Sequence, residues 1–276
     1  MLKGIYQGCF PNDMPLEELF ATSRKAGYDA VELVVHHAGS VGLTLETTPA
    51  EAEGIRRMAE KHGIQLRSLS GGLVRKTPLS SADQAVRDEG RRVTLKLLEL
   101  AEAVGADTVL VVPGKVDQTT SYEDCYTRTR DELRKVAAEA ERRQVRIGVE
   151  NVWNRFLLSP LEMARYIDEL DSPAFGAYFD VGNVLQFGFP EQWIRILGHR
   201  IFKVHVKDFS SRVGNGAGFV PLLAGDVDWQ AVRSALQDIG YDDLLTAEIH
   251  SYASAPLQAI YDTARHLDVI IGGEAK

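Results

Sequence analysis

Glu150, Asp180, His205 and Glu248 are the residues whose placement most suggests chemistry. Each closes a short apolar run, in VRIGVEN, AFGAYFD, IFKVHVKD and LLTAEIH respectively, at the last or next-to-last core position of that run. A single carboxylate at a strand end ordinarily caps a helix or pairs with a nearby Lys or Arg. Four consecutive strand ends aimed at one point are different, because three carboxylates around one imidazole repel strongly in a low-dielectric pocket unless a cation neutralises them. One divalent metal ion is the economical cation. Three oxygen donors and one imidazole suit Mn²⁺, Mg²⁺ or Co²⁺ and leave Zn²⁺ open, while the lack of Cys ligands removes the usual structural zinc sites.

Such convergence needs parallel neighbouring strands, and the whole chain alternates short β-rich runs with longer helical patterns. Gly4 to Phe10 precedes a helix from about Pro15 to Ala26, and Tyr28 to Val35 one from about Pro49 to His62. Ile64 to Ser70 leads into a helix from about Ala82 to Val104, and Asp107 to Pro113 into one from about Tyr122 to Arg143. Val145 to Asn151 is followed by a helix opening at Ser159-Pro160, and Ala174 to Asp180 by one opening near Pro190. Ile201 to Asp208 precedes a helix from about Asp228 to Ile239, and Leu244 to His250 a final one from about Ala255 to Ile271. Ser159-Pro160-Leu161-Glu162 combines an N-cap, a proline at the first helical position and an early acid, and Gly63, Gly105 and Gly240 stand where helices should stop. Eight β-α repeats without a linker predict an α/β fold, a single (β/α)8 TIM barrel spanning residues 1–276 as one domain, with its active site at the carboxyl ends of the strands.

Composition is that of an ordinary globular protein, with 45% hydrophobic and 25% charged residues. A formal charge of -8, from 31 Lys+Arg against 39 Asp+Glu, argues against nucleic acid as a partner. Cys9 and Cys125 form no CxxC and no disulfide framework, which fits a reducing cytosol. The N-terminal MLKGIYQGCFPND has no apolar signal segment, and no run approaches the roughly 18 residues that span a bilayer, so a cytoplasmic protein with no membrane partner is expected. A homo-oligomer stays open.

The strings VENVWNRFLLSP, YFDVGN, KVHVKD and TAEIH, in this order, resemble the xylose isomerase-like barrel superfamily, specifically its sugar-phosphate isomerase/epimerase branch with ketose 3-epimerases and L-ribulose-5-phosphate 3-epimerase. The resemblance covers nearly the whole chain and is most specific between Val149 and Glu248. It implies that Glu150, Asp180, His205 and Glu248 bind one divalent metal, and that Glu150 and Glu248 also form an acid/base pair. The implied reaction is inversion at carbon 3 of a ketose or ketose phosphate through a cis-enediolate, the metal acting as Lewis acid and the two carboxylates serving opposite faces. An aldose-ketose isomerase would use the same four residues. A metal-dependent lyase or deglycosylase acting on an oxidised (keto) sugar could reuse them as well. Endonuclease IV shares the barrel but needs further His ligands and DNA, which seven His in all and a charge of -8 do not suit.

Flanking residues carry the specificity information. Free-ketose 3-epimerases usually have a second Glu six residues after the strand-five Glu and a His three after the strand-six Asp. Here those positions are Phe156 and Asn183, which points to a phosphate-handling relative with Asp180-Val181-Gly182-Asn183. The segment SSRVGNGAGF opens near Arg212 and carries Gly214, Gly216 and Gly218, in a loop position where barrels commonly hold phosphate. A flexible lid without an anion is an equal reading of it. Lys207 and His250, each two residues beyond a cluster member, point to the same side and are candidates for substrate contact, Lys207 having Asp208 or a cluster carboxylate as alternative partners. Trp153 and Phe156 could wall the sugar's carbon face, and Glu32 on strand two could line the mouth.

Overall fold

Short runs of Val, Ile, Leu and Phe pair in parallel when helices cover them, since neither face then has to meet water. The computed structural model describes residues 1–272. Its barrel strands are β1 (Leu2–Tyr6), β2 (Ala30–His36), β3 (Ser68–Ser70), β4 (Thr108–Val111), β5 (Arg146–Glu150), β6 (Phe175–Asp180), β7 (Ile201–Val206) and β8 (Leu244–Ala247). They pair in sequence order, all parallel, and β8 pairs with β1 to close the ring. The fold is a single (β/α)8 TIM barrel. No helix among the described residues is long and apolar enough to cross a membrane.

Local signals placed the helices well. Ser159 accepts the amide of Glu162 and Pro160 occupies the first turn of the helix Pro160–Glu169. Gly63, Gly105 and Gly240 have φ of 69°, 78° and 72°, a conformation costly to any residue with a Cβ. The helix expected over 122–143 is interrupted, running Tyr122–Arg134 and then Ala137–Arg143, and the break lets Leu133, Val136 and Ala140 all reach the core.

Strand ends differ more, because a ladder needs a partner that local sequence does not specify. The run Gly4 to Phe10 leaves the sheet at Tyr6 and turns through a 3₁₀ segment, Gln7–Cys9, where the Gln7 side chain accepts the Val34 amide at 2.8 Å. Of Ile64 to Ser70 only Ser68–Ser70 forms a ladder, with Gln65 reduced to an isolated bridge to Ala30. The Gly-rich segment after β7 folds into a small antiparallel hairpin, Asp208–Phe209 with Phe219–Val220. Asp208 anchors it, accepting from the amides of Phe209 and Val227 and from Trp229 Nε1 at 3.0 Å. Gly225 presses on this carboxylate so closely that a Cβ there would sit 2.2 Å from Asp208 Oδ1.

The amino end of the barrel is closed by side-chain ion pairs. Lys203 is fully buried, with Nζ 2.6 Å from Asp243 Oδ2 and 3.0 Å from Asp107 Oδ1, and Arg67 and Arg146 complete the group. Burial pushes the Asp107 carboxyl up, but Lys203, Thr108 and Arg146 outweigh it and hold it well below the usual range. Side chains two apart on a strand share a face, so Lys203, His205 and Lys207 point the same way, the first into this plug and the other two toward the opposite end.

Candidate active site

Strand register brings the cluster together. Asp180 pairs with His205 across β6 and β7, Glu150 pairs with Tyr178 one step below, and His205 pairs with Thr246, whose same-face successor is Glu248. One ligand atom from each of Glu150, Asp180, His205 and Glu248 lies within 4.8 Å of the others. His205 Nδ1 is 3.1 Å from Glu248 Oε2, 3.3 Å from Glu150 Oε1 and 4.0 Å from Asp180 Oδ2.

The group is buried except on one side. Glu150, Asp180 and His205 are 4%, 0% and 1% exposed, whereas the Glu248 side chain is 29% exposed. Asp180 Oδ1 accepts the Asn183 amide at 2.8 Å, but Oδ2 is buried without a hydrogen bond. Lys207 Nζ lies 3.1 Å from Oδ2, close enough to pair as a charge yet not aligned to donate to it. Lys207 Nζ also forms an ion pair with Glu248 Oε2 at 2.8 Å. A buried carboxylate oxygen without a hydrogen bond beside two further carboxylates and an imidazole nitrogen fits a divalent cation, so the cluster could hold a metal ion.

The charges are strongly interdependent. Burial pushes the Glu150 and Asp180 carboxyls up, offset in part by His205 for the first and Lys207 for the second. Burial also pushes Glu248 up, but Lys207 and His205 prevail and hold it well below its ordinary value. For His205 and Lys207 burial favours the neutral form, yet the surrounding carboxylates hold both well above their ordinary values, Glu32 being the largest such influence on His205 and Asp180 on Lys207.

A cleft of about 390 Å³ opens over the cluster, lined by Glu248, Lys207, Asn183, Trp153, Arg75 and Lys115 among others. Trp153 is held by its Nε1 donating to Asn183 O at 2.8 Å and packs against Phe209 and Phe219. The Asn183 amide is engaged with Asn151 O at 2.9 Å, so it braces the β5 and β6 ends while facing the cleft. His250 lines a second recess of about 300 Å³ on the other side of Glu248, with Tyr6 and Pro221.

Three expected positions need correction. Glu32 does not line the mouth: it is 2% exposed and lies beneath His205, because β2 faces β6 and β7 across the barrel interior. Arg212 is exposed on the hairpin turn and is not among the residues lining the cleft. Phe156 is 1% exposed in an aromatic group with Tyr122, Tyr126 and Tyr166, so Trp153 alone of that pair meets the cleft. Arg75, ending the 3₁₀ segment after β3, and Lys115, after β4, were not foreseen. Their positions just past strand ends were the available signal, but neither sits in a distinctive motif.

A closed barrel whose last four strands deliver Glu, Asp, His and Glu to one carboxyl-end cleft defines a recognisable class. The chain belongs to the xylose isomerase-like TIM barrel family, whose model matches residues 20–269. L-ribulose-5-phosphate 3-epimerase UlaE of Salmonella paratyphi C (strain RKS4594) is 26% identical over 248 residues, 86% of this chain and 83% of the relative. The crystal structure of D-psicose 3-epimerase in the presence of D-fructose has a TM-score of 0.82 at 19% identity, covering 99% of this chain and 100% of that one. L-ribulose 3-epimerase has a TM-score of 0.81 at 20% identity, covering 98% and 94%. The relatives are thus sugar epimerases, and the two solved structures share the fold.

Proposed function

We propose that this protein is a divalent-metal-dependent epimerase that inverts carbon 3 of a ketose phosphate. The observation that carries the reading is the convergence of Glu150, Asp180, Glu248 and His205 Nδ1 within 4.8 Å beneath an open cleft. A divalent ion held by these four would, when bound, supply Lewis acidity to the ketone oxygen and the neighbouring hydroxyl, without which the adjacent C–H is too weakly acidic for a carboxylate at neutral pH.

Glu150 and Glu248 carry the proton. They come from β5 and the end of β8, on either flank of His205, so one withdraws the carbon-3 proton while the other, protonated, delivers one to the opposite face. Lys207, 2.8 Å from Glu248 Oε2, keeps that carboxylate oriented and offers an ammonium to a substrate oxygen. Trp153 gives the sugar carbons an apolar wall, and Asn183 holds that wall in place through its carbonyl.

An anionic end is supported by the charge on the cleft's rim. Arg75 is exposed and has no carboxylate partner among the described residues, while Lys115 pairs with Asp117 at 2.8 Å. These two replace Arg212 as the groups that read a phosphate, a guanidinium being suited to bidentate recognition.

The test is incubation of Mn²⁺-loaded protein with a ketulose and its terminal phosphate in D₂O, followed by NMR. Deuterium should enter carbon 3 without net loss of ketose, and the phosphate should be preferred. Arg75→Ala should lower kcat/KM for the phosphate by about 10- to 100-fold, as expected for a lost charged hydrogen bond, and leave the neutral sugar unchanged. Net consumption of sugar would assign a lyase instead. Equal rates for the two sugars would remove the phosphate from the reading.

A further inference from the structure

Glu32 is a carboxylate that the proton chemistry does not use, and it sits in the barrel interior at 2% exposure. Its surroundings are fully specified. Oε1 is 2.9 Å from His205 Nε2, while Oε2 accepts Ser68 Oγ at 2.5 Å and the Tyr178 hydroxyl, which is itself 3.1 Å from Ser68 Oγ. The partners come from β3, β6 and β7, so the group crosses the barrel from one side to the other. Tyr178 also packs edge-on against the His205 ring with centroids 4.6 Å apart, and Tyr6 flanks it at 6.0 Å. Gly148, diagonal to it on β5, leaves room for Tyr178, whose Cβ would lie 3.0 Å from a Cβ at that position.

A carboxylate can only accept. Ser68 and Tyr178 both donate to Oε2, and His205 donates to Oε1 through Nε2–H. The other ring nitrogen, Nδ1, is then the one turned toward Glu150, Asp180 and Glu248. We infer that Glu32 is a positioning residue for the metal centre: with Ser68 and Tyr178 it fixes the tautomer and ring plane of His205, so that Nδ1 is presented to the ion with raised basicity. This rests on the reading that the four-residue cluster holds a divalent metal. A purely space-filling role would not require an anion in a fully enclosed place, where an uncompensated carboxylate is costly and an apolar side chain would pack as well. Nor would it require both hydroxyl donors on the oxygen remote from His205, an arrangement that leaves Oε1 free for the imidazole alone.

The experiment measures Mn²⁺ affinity in the absence of substrate, by the EPR signal of free Mn²⁺, on metal-stripped wild type, Glu32→Gln and Tyr178→Phe. Wild type should bind one ion. Glu32→Gln keeps the shape but loses the charge, and should bind one ion about 10- to 100-fold more weakly, the range for partners of a ligating His. Its metal-free unfolding midpoint should stay within a few degrees of wild type, which separates loss of metal affinity from loss of fold. Tyr178→Phe leaves the Glu32–His205 contact and removes one donor to Oε2, so its affinity should fall less than that of Glu32→Gln yet measurably. Folded Glu32→Gln with a dissociation constant within twofold of wild type would overturn the inference while leaving the metal site standing. Should Glu32→Gln fail to fold, wild-type affinity in Tyr178→Phe would overturn it equally. Wild type that binds no Mn²⁺ would remove both the metal reading and this one.

Discussion

Glu150→Gln and Glu248→Gln are each expected to lower kcat for epimerisation by about 10²- to 10⁴-fold at saturating metal, the usual contribution of a positioned acid or base. An amide occupies the same volume and still offers an oxygen, but it cannot carry the proton. Burial disfavours the Glu150 charge, so in metal-free protein the unfolding midpoint should not fall in Glu150→Gln, whereas Glu248→Gln gives up a charge that Lys207 and His205 stabilise and its midpoint should drop while the chain still folds. The two variants should also differ from each other in a way that a general loss of function would not produce. With only one carboxylate left, a proton can be taken from and returned to a single face. Each variant should therefore exchange the carbon-3 proton of one epimer with D₂O without inverting it, and Glu150→Gln and Glu248→Gln should select opposite epimers. Wild-type kcat in either variant would remove that residue from the pair, and exchange of the same epimer by both would place them on one face.

His205→Ala should abolish stable metal binding, with affinity falling by more than about 100-fold, beyond the range seen when only the partner of a ligating His is changed. Its ring nitrogen is the common neighbour of the three carboxylates, at 3.1, 3.3 and 4.0 Å. Removing it leaves an all-oxygen, strongly anionic site and strands Glu32 without the donor to its Oε1. Elemental analysis of dialysed protein should find about one equivalent in wild type and little in the variant. Thermal unfolding gives an independent reading: at 100 times the dissociation constant a native-state ligand stabilises by about 2.7 kcal/mol, and this response to Mn²⁺ should vanish in His205→Ala. Unchanged metal content in the variant would remove the cluster as the site.

Alternating apolar runs and helical periods were enough to read an eightfold β-α repeat, and in a parallel barrel this repeat dictates that strand ends share one face. Glu150, Asp180, His205 and Glu248 were legible for that reason: they are polar residues terminating apolar strands, and register alone carries them to one another. Helix stops at Gly63, Gly105 and Gly240 were legible because positive φ is a local demand. Glu32 stood out as a strand-two carboxylate and was expected at the mouth, but its actual place is set only when closure of the ring brings β2 against Ser68, Tyr178 and His205. Arg75 and Lys115 stand on loops after β3 and β4, and their meeting with Trp153, Lys207 and Glu248 around one cleft depends on the curvature of the whole barrel. Arg212 looked suited to an anion by composition, yet on the folded hairpin it is exposed and outside the lining of the cleft. Chemistry that depends on one strand and its immediate neighbours is thus written in the sequence, whereas contacts across the barrel or between distant loops exist only once the ring closes, since their residues are joined by no shared period, cap or turn.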